Sequence, residues 1–209
     1  MSAALLAVLL ASAAGASITG AGGGDPVFAV AQGAAAYAVE TDAAATGGRV
    51  IVRRLGLDGG VRWQDRWGQG RGEEPVGAAV GAGEELTVFG GDSSGCWAAQ
   101  WSPDGRLLWN ADLQYGSSCQ ARAVVADGDG GVYALGTTTV GEGFAPTVWR
   151  LDRRGAVLWT DRDARPVSRY AYALTLAASG DGVSVTTAVS GPRGWVFGSY
   201  DLDASGRRR

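Results

Sequence analysis

Gly91-Asp92-Ser93-Ser94-Gly95 matches the G-x-S-x-G pattern of a hydrolase nucleophile. That chemistry needs Ser93 on a strand-to-helix elbow, with a base beside it to take the proton. The chain has no His, and the segment falls in an expected β-turn, so it reads as a turn. Asp127-Gly128-Asp129-Gly130 begins like a calcium loop, with Asp at alternate positions. Such a loop needs another ligand before its Gly and a later bidentate Glu, whereas Val132 and Tyr133 already enter a strand. It too reads as a turn. The loop carboxylates Asp42, Glu73, Glu74 and Asp92 could supply the acid pair of a glycoside hydrolase, whose separation of about 5–10 Å only the fold can set. Each reads as a solvated loop residue. No catalytic residue, metal ligand or cofactor is assigned, and the binding residues are unknown.

Composition excludes more than it selects. The 18 basic residues, all Arg, stand against 21 acidic ones, a net charge of −3. A nucleic-acid binder of the usual kind shows a basic domain instead. Arg153-Arg154 and Arg207–Arg209 read as a turn and a chain end. The absence of His removes most metal sites and every Ser-His-Asp or Cys-His arrangement. Trp97, Trp101, Trp195 and Phe197 lie on strands, where two-residue periodicity predicts core packing over ligand stacking.

The first 16 residues read as a secretory signal. Ala3–Ala11 is an uninterrupted small and aliphatic run, and Ala14-Gly15-Ala16 supplies the small-x-small cleavage pattern before Ser17. The run is shorter than the ~20 residues of a membrane span; the competing reading is a buried N-terminal helix. No later segment is apolar enough to span a membrane. Cys96 and Cys119 suit an oxidising compartment, where an even count favours a disulfide. Residues 17–209 then form the mature domain, secreted or periplasmic.

What must position these residues is a repeat. Three segments share a strand, a turn with Gly and a Trp four residues later: Gly59 and Trp63, Gly105 and Trp109, Gly155 and Trp159. Gly206 begins a fourth copy, and the anchor spacings are 46, 50 and 51 residues. Gly33, Gly83, Gly130 and Gly180 mark a second turn with spacings of 50, 47 and 50. Each repeat holds about four short strands; in the third copy they are placed at Ala121–Ala126, Gly131–Gly136, Thr147–Asp152 and Ala156–Asp161. No sustained helical period appears. Four strands every 45 to 50 residues predict an all-β chain: a β-propeller of about four four-stranded blades, complete or partial. A β-sandwich is the main competitor.

The unit Ala121–Gly136 (ARAVVADGDGGVYALG) followed by Val148–Trp159 (VWRLDRRGAVLW) resembles repeats of secreted bacterial β-propellers, the seven-bladed type and their quinoprotein-like relatives. The resemblance covers nearly the whole mature chain and implies a structural repeat. The quinoprotein blade has a longer turn ending in Thr-Gly before its Trp, and the shorter Asp152–Gly155 turn counts against a bound quinone.

The fourth copy reaches Gly206–Arg209 where its last strand is expected. Residues 17–20 could supply that strand to a closed four-bladed ring; the preferred reading is part of a larger propeller. A Cys96–Cys119 bridge is expected to tie the second copy to the third. The function expected is a non-catalytic exported scaffold presenting loops to a protein, glycan or small ligand. The rivals are a propeller enzyme (a quinoprotein-like dehydrogenase or a carboxylate-based hydrolase or lyase) and a truncated product without function of its own.

Overall fold

A computed structural model of the chain describes residues 17–19, 28–33, 35–42, 48–113, 118–162, 171–191 and 193–209. The expected signal, residues 1–16, lies outside them. Every element among the described residues is a β-strand, and all strand pairings are antiparallel.

The first sheet contains β1 (Ser17–Thr19), β2 (Phe28–Gln32), β3 (Ala35–Thr41), β4 (Val50–Leu55) and β5 (Val61–Trp67), in that order. The second holds β6 (Glu74–Val80), β7 (Leu86–Asp92), β8 (Gly95–Trp101) and β9 (Leu107–Leu113). The third holds β10 (Cys119–Ala126), β11 (Val132–Val140), β12 (Gly143–Leu151) and β13 (Val157–Arg162). The fourth has three strands: β14 (Ala171–Ser179), β15 (Gly182–Gly191) and β16 (Gly194–Leu202).

Two expectations are corrected here. The sheets are not uniformly four-stranded, because the first has five strands and the fourth three. Residues 17–19 do not complete the fourth sheet; they pair with β2 of the first, Ser17 opposite Val30. The strands of the third copy also run past the expected ends, to Cys119 on one side and Arg162 on the other. Polar Thr137, Thr138 and Thr147 are buried there, so burial and pairing, not hydrophobicity, set the strand length.

Alternation of side chains sends each sheet to two neighbours. In the second sheet, Leu86, Val88, Trp97, Ala99 and Trp101 pack with Tyr37, Val39, Val50 and Val52 of the first. The intervening residues Phe89, Cys96, Ala98 and Leu113 pack with Val124, Val132, Trp149 and Leu151 of the third. Tyr133, Leu135 and Val148 of the third meet Ala173, Val183, Val185 and Leu202 of the fourth. Three apolar clusters thus join four sheets in sequence, and no such cluster among the described residues joins the first sheet to the fourth. The sheets form an arc of propeller blades, with β2, β6, β10 and β14 innermost.

The Trp anchors act between blades. An added Cβ at Gly105 would lie 2.8 Å from Trp63 Cδ2, at Gly155 2.7 Å from Trp109 Cδ2, and at Gly206 2.8 Å from Trp159 Cδ2. Each Trp therefore lies against the turn of the following blade, where only a residue without Cβ lets the ring approach. The same glycines have φ of +88°, +80° and +80°, the left-handed position of a three-residue hairpin turn.

The second marker series holds with one displacement. Gly33, Gly130 and Gly180 have positive φ, but in the second blade that position belongs to Glu84 (φ 65°), one residue after Gly83. The hydrogen bonds fix this equivalence: Glu84 N–H donates to Gly81 O at 3.0 Å, as Gly105 N–H does to Ser102 O.

Candidate functional site

The inner strands are rich in small residues, and their convergence leaves a cavity of about 740 Å³ at the inside of the arc. Val30 of β2, Val76–Val80 of β6, Arg122–Ala126 of β10, and Leu176 and Ala178 of β14 line it, so all four sheets contribute. Close approach of β6 and β10 follows from Gly77, where a Cβ would already touch Val124 Cγ1 at 3.5 Å. The wall is aliphatic, with Arg122 and Asp127 the charged groups bordering it. Arg122 is exposed, its guanidinium donating to Gln120 Oε1 at 2.9 Å.

Val76 and Arg122 also border a second cavity of about 350 Å³, which adds Glu74, Asp92, Cys119 and Gln120. The aliphatic groove therefore opens at this end onto a polar mouth. At its other limit Asp127 joins it to a cleft of about 370 Å³ between hairpin turns of the third blade, with Arg150, Arg153 and Arg154.

The buried carboxylates beside the polar mouth differ from expectation. Glu73 and Asp92 are not solvated: Glu73 has no exposed surface, and the Asp92 side chain is 1% exposed. Glu73 accepts hydrogen bonds from the Gln69 and Arg71 N–H groups, folding the Gly68–Gly72 segment over itself. Asp92 Oδ1 accepts from the N–H groups of Ser94 (2.6 Å) and Gly95 (3.1 Å), and Asp92 Oδ2 pairs with Arg71 at 3.1 Å. Arg71 also donates to Asp112 Oδ1 at 2.8 Å, and this bond raises the guanidinium above its ordinary value. Donors of the fold thus occupy both carboxylates, leaving neither as a free acid or base. Asp42 lies 3.8 Å from Arg66, and Glu74 is exposed. Glycines between loop carboxylates, as in Gly-Gln-Gly-Arg-Gly-Glu, were the available signal that a loop could close around Glu73.

Ser93 stands exposed in the β7–β8 turn that Asp92 caps, and its N–H donates to Arg71 O at 3.3 Å. Asp127 caps the corresponding turn of the third blade. Its Oδ1 accepts from the Asp129 and Gly131 N–H groups, and its Oδ2 lies 3.3 Å from Arg150. Its oxygens point to the turn and the Arg.

Cys96 in β8 and Cys119 at the start of β10 form a disulfide, with Cα atoms 5.4 Å apart. It links the second and third blades beside the polar mouth. Trp97 and Trp101 are buried, with Trp97 against Trp67 at 4.7 Å between ring centres. Trp195 and Phe197 contradict the expected core position: they are 52% and 69% exposed, because no described strand lies beyond β16.

No family model matches the chain, and no curated protein matches it. Solved structures do match. The WD40 domain of Neurospora crassa Pan2 aligns with a TM-score of 0.51 and 12% identity, over 94% of this chain and 65% of that one. A Lactobacillus plantarum protein aligns with a TM-score of 0.52 and 14% identity, over 92% of this chain and 65% of that one. Puromycin hydrolase aligns at 0.52 and 19–20% identity across two structures, one scoring 0.50, with 83–85% of this chain on 26% of that one. The chain thus spans from about a quarter to about two thirds of the length of these structures. At such identities the likeness is one of fold, and the fold of this chain is the β-propeller.

Proposed function

We propose that the chain is a non-catalytic exported binding module, whose inner groove takes an aliphatic segment of a peptide or small ligand. The observation that carries this reading is the 740 Å³ cavity shared by the four inner strands. Sites for small ligands are concave and mostly apolar, with few polar groups to fix orientation. Arg122 is the group placed to receive a carboxylate at the edge of this groove. Occupation of Glu73 and Asp92 by N–H donors and Arg71 supports binding over acid–base chemistry. An aliphatic wall suits a peptide better than a glycan, for which exposed aromatic rings are the usual platform.

Export is part of the proposal: residues 1–16 serve as the signal, and residues 17–209 form the folded unit. The Cys96–Cys119 disulfide supports an oxidising compartment. No helix among the described residues is long and apolar enough to cross a membrane.

Calorimetric titration with a panel of short aliphatic peptides bearing a free carboxylate tests the groove. Ala178 lines it and is exposed, so Ala178→Trp fills the cavity without entering the core. Binding by the parent protein, lost in Ala178→Trp and weakened in Arg122→Glu, is the expected result. Absence of binding across the panel, or affinity unchanged in both variants, overturns the reading.

A further inference from the structure

The two ends of the arc are finished differently. On the first sheet, Arg53 forms an ion pair with Glu40 and donates to Gln64 Oε1 at 2.7 Å. Its register partners are Ala38 and Gln64, on the face turned away from the second sheet. That face is polar and its charges are satisfied within the sheet, as a solvent-facing end requires.

The fourth sheet ends on β16. Trp195, Val196 and Phe197 are 52%, 63% and 69% exposed, while β8, the third strand of the second sheet, is buried along its whole length. Pairing on the outer edge of β16 has begun and then stops. Leu202 pairs with Arg208, at the same six-residue offset as Leu55–Val61, Trp101–Leu107 and Leu151–Val157. The Arg209 N–H donates to Asp201 O at 3.0 Å. Along residues 194–199 no further described strand follows, so the backbone edge is open over a length suited to strand addition.

We propose that β16 is the surface through which two copies of this chain associate, their β16 strands pairing antiparallel about a two-fold axis at Phe197. This inference is independent of the groove reading. An antiparallel strand pair is self-complementary, so one edge supplies both the donors and the acceptors of the new ladder. Phe197 opposes its own counterpart, Val196 opposes Gly198 of the second copy, and Trp195 opposes Ser199. Phe197 and Trp195 share one face of the sheet, being paired to Ala188 and Ser190 of β15. The new ladder therefore gathers both copies' aromatic rings on one side, where cross-strand pairs add to the main-chain bonds. Gly198 offers open space beside its Cα, which the opposing Val196 can use. A head-to-tail arrangement instead sets the aromatic end against the Arg53–Glu40 face, a mismatch of apolar surface and charge. The symmetric pairing avoids it.

Sedimentation equilibrium of the full chain tests the association, with the 21.3 kDa protomer as the unit mass. A reversible dimer is expected, about tenfold or more weaker in Phe197→Lys. The described residues hold no free cysteine, so Phe197→Cys adds one reactive thiol at the axis. A short bis-maleimide should join Phe197→Cys copies to each other and leave Val61→Cys copies, altered at an exposed position of the first sheet (55%), unjoined. Circular dichroism matching the parent confirms that each variant is folded. A monomer at every concentration, an unchanged dimer in Phe197→Lys, or cross-linking through Val61→Cys instead overturns the proposal.

Discussion

The Tyr37 hydroxyl donates to the main-chain carbonyl of Glu84 at 2.6 Å, bridging the first blade to a turn of the second. Arg54 lies with its guanidinium 5.8 Å from the Tyr37 ring centre, pairs with the Glu84 carboxylate and donates to Pro103 O at 2.6 Å. Trp63 Nε1 donates to the same Pro103 oxygen at 2.8 Å. The third blade repeats the joint: Arg150 sits over Tyr133, and Arg150 and Trp159 both donate to Ala204 O. In the second blade Gln100 replaces the Arg, donating to Thr87 Oγ1 and accepting from Trp109 Nε1. The blades are thus locked by polar contacts alternating in type, around Trp rings in constant position.

Burial of Tyr37 pushes its phenol from 10.0 up to about 12, with Arg54 opposing the shift and Glu84 reinforcing it. The folded state therefore holds this proton more tightly than the unfolded state. Its contribution to stability is complete below pH 10 and is lost as the pH rises towards 12. Ultraviolet titration should show one phenol ionising late, and Tyr37→Phe should remove that step. The variant should also cost about 1 kcal/mol at neutral pH in urea unfolding, the worth of one hydrogen bond.

Glu84 occupies a left-handed conformation that glycine adopts at the corresponding turn of the third blade. A side chain there carries about 1–2 kcal/mol of backbone strain. Both Glu84→Gly and Glu84→Ala lose the Arg54 ion pair, but only glycine relieves the strain. Chemical unfolding should place the Gly variant about 1 kcal/mol or more above the Ala variant. Equal stabilities would show that Glu84 is not strained.

Gly155 has φ +80° and a Trp109 ring atom 2.7 Å from the position of an added Cβ, whereas Gly141 (φ +55°) has open space there. Gly155→Ala thus combines backbone strain with a clash, and Gly141→Ala carries the strain alone. The expected losses are about 2–4 kcal/mol for the first and about 1 kcal/mol for the second. Their difference in unfolding free energy measures how tightly Trp109 seats on the next blade.

The Gly–Trp register was legible because both partners recur at fixed spacing and each fills one role in every blade. Trp63, Trp109 and Trp159 could be placed as core, although their seat on the following blade's turn needs coordinates. Glu84 was hidden because left-handed geometry is read from glycine, and neighbouring Gly83 drew the marker. The burial of Glu73 and Asp92 depends on how a glycine-rich loop folds over main-chain donors, which residue type does not encode. Trp195 and Phe197 carry the alternation of a buried strand; their exposure depends on what lies beyond β16. The groove escaped notice for a related reason. Val76, Arg122 and Leu176 come from separate repeats and meet only when the sheets fan around a common axis.

The Cys96–Cys119 bridge spans 23 residues of sequence and joins β8 to β10. In the chain-entropy model a loop of this size contributes roughly 3 kcal/mol by constraining the unfolded chain. Cys96→Ala/Cys119→Ala should lower stability by about that amount in guanidinium unfolding. Reduction of the parent protein should reproduce the loss, and an effect of only a few tenths would assign the inter-blade hold to packing alone.

Asp152 and Asp203 cap equivalent turns of the third and fourth blades. Asp152 Oδ1 accepts from the Arg154 and Ala156 N–H groups at 2.8 and 2.9 Å. Asp203 Oδ1 accepts from the Ser205 hydroxyl and from the Ser205 and Arg207 N–H groups. These bonds hold both carboxyls below the usual range: main-chain donors lead at Asp152, and the Ser205 hydroxyl leads at Asp203. A carboxyl depressed by folding contributes stability above its unfolded value, near 3.9, and loses it as the pH falls through the folded value. Asp152→Asn/Asp203→Asn keeps an oxygen acceptor at each cap but removes the titration. The double variant should therefore show a shallower fall in stability below about pH 4 than the parent. Parallel acid-unfolding curves would mean that other carboxylates, such as Asp181 paired with Arg209, govern the acid response.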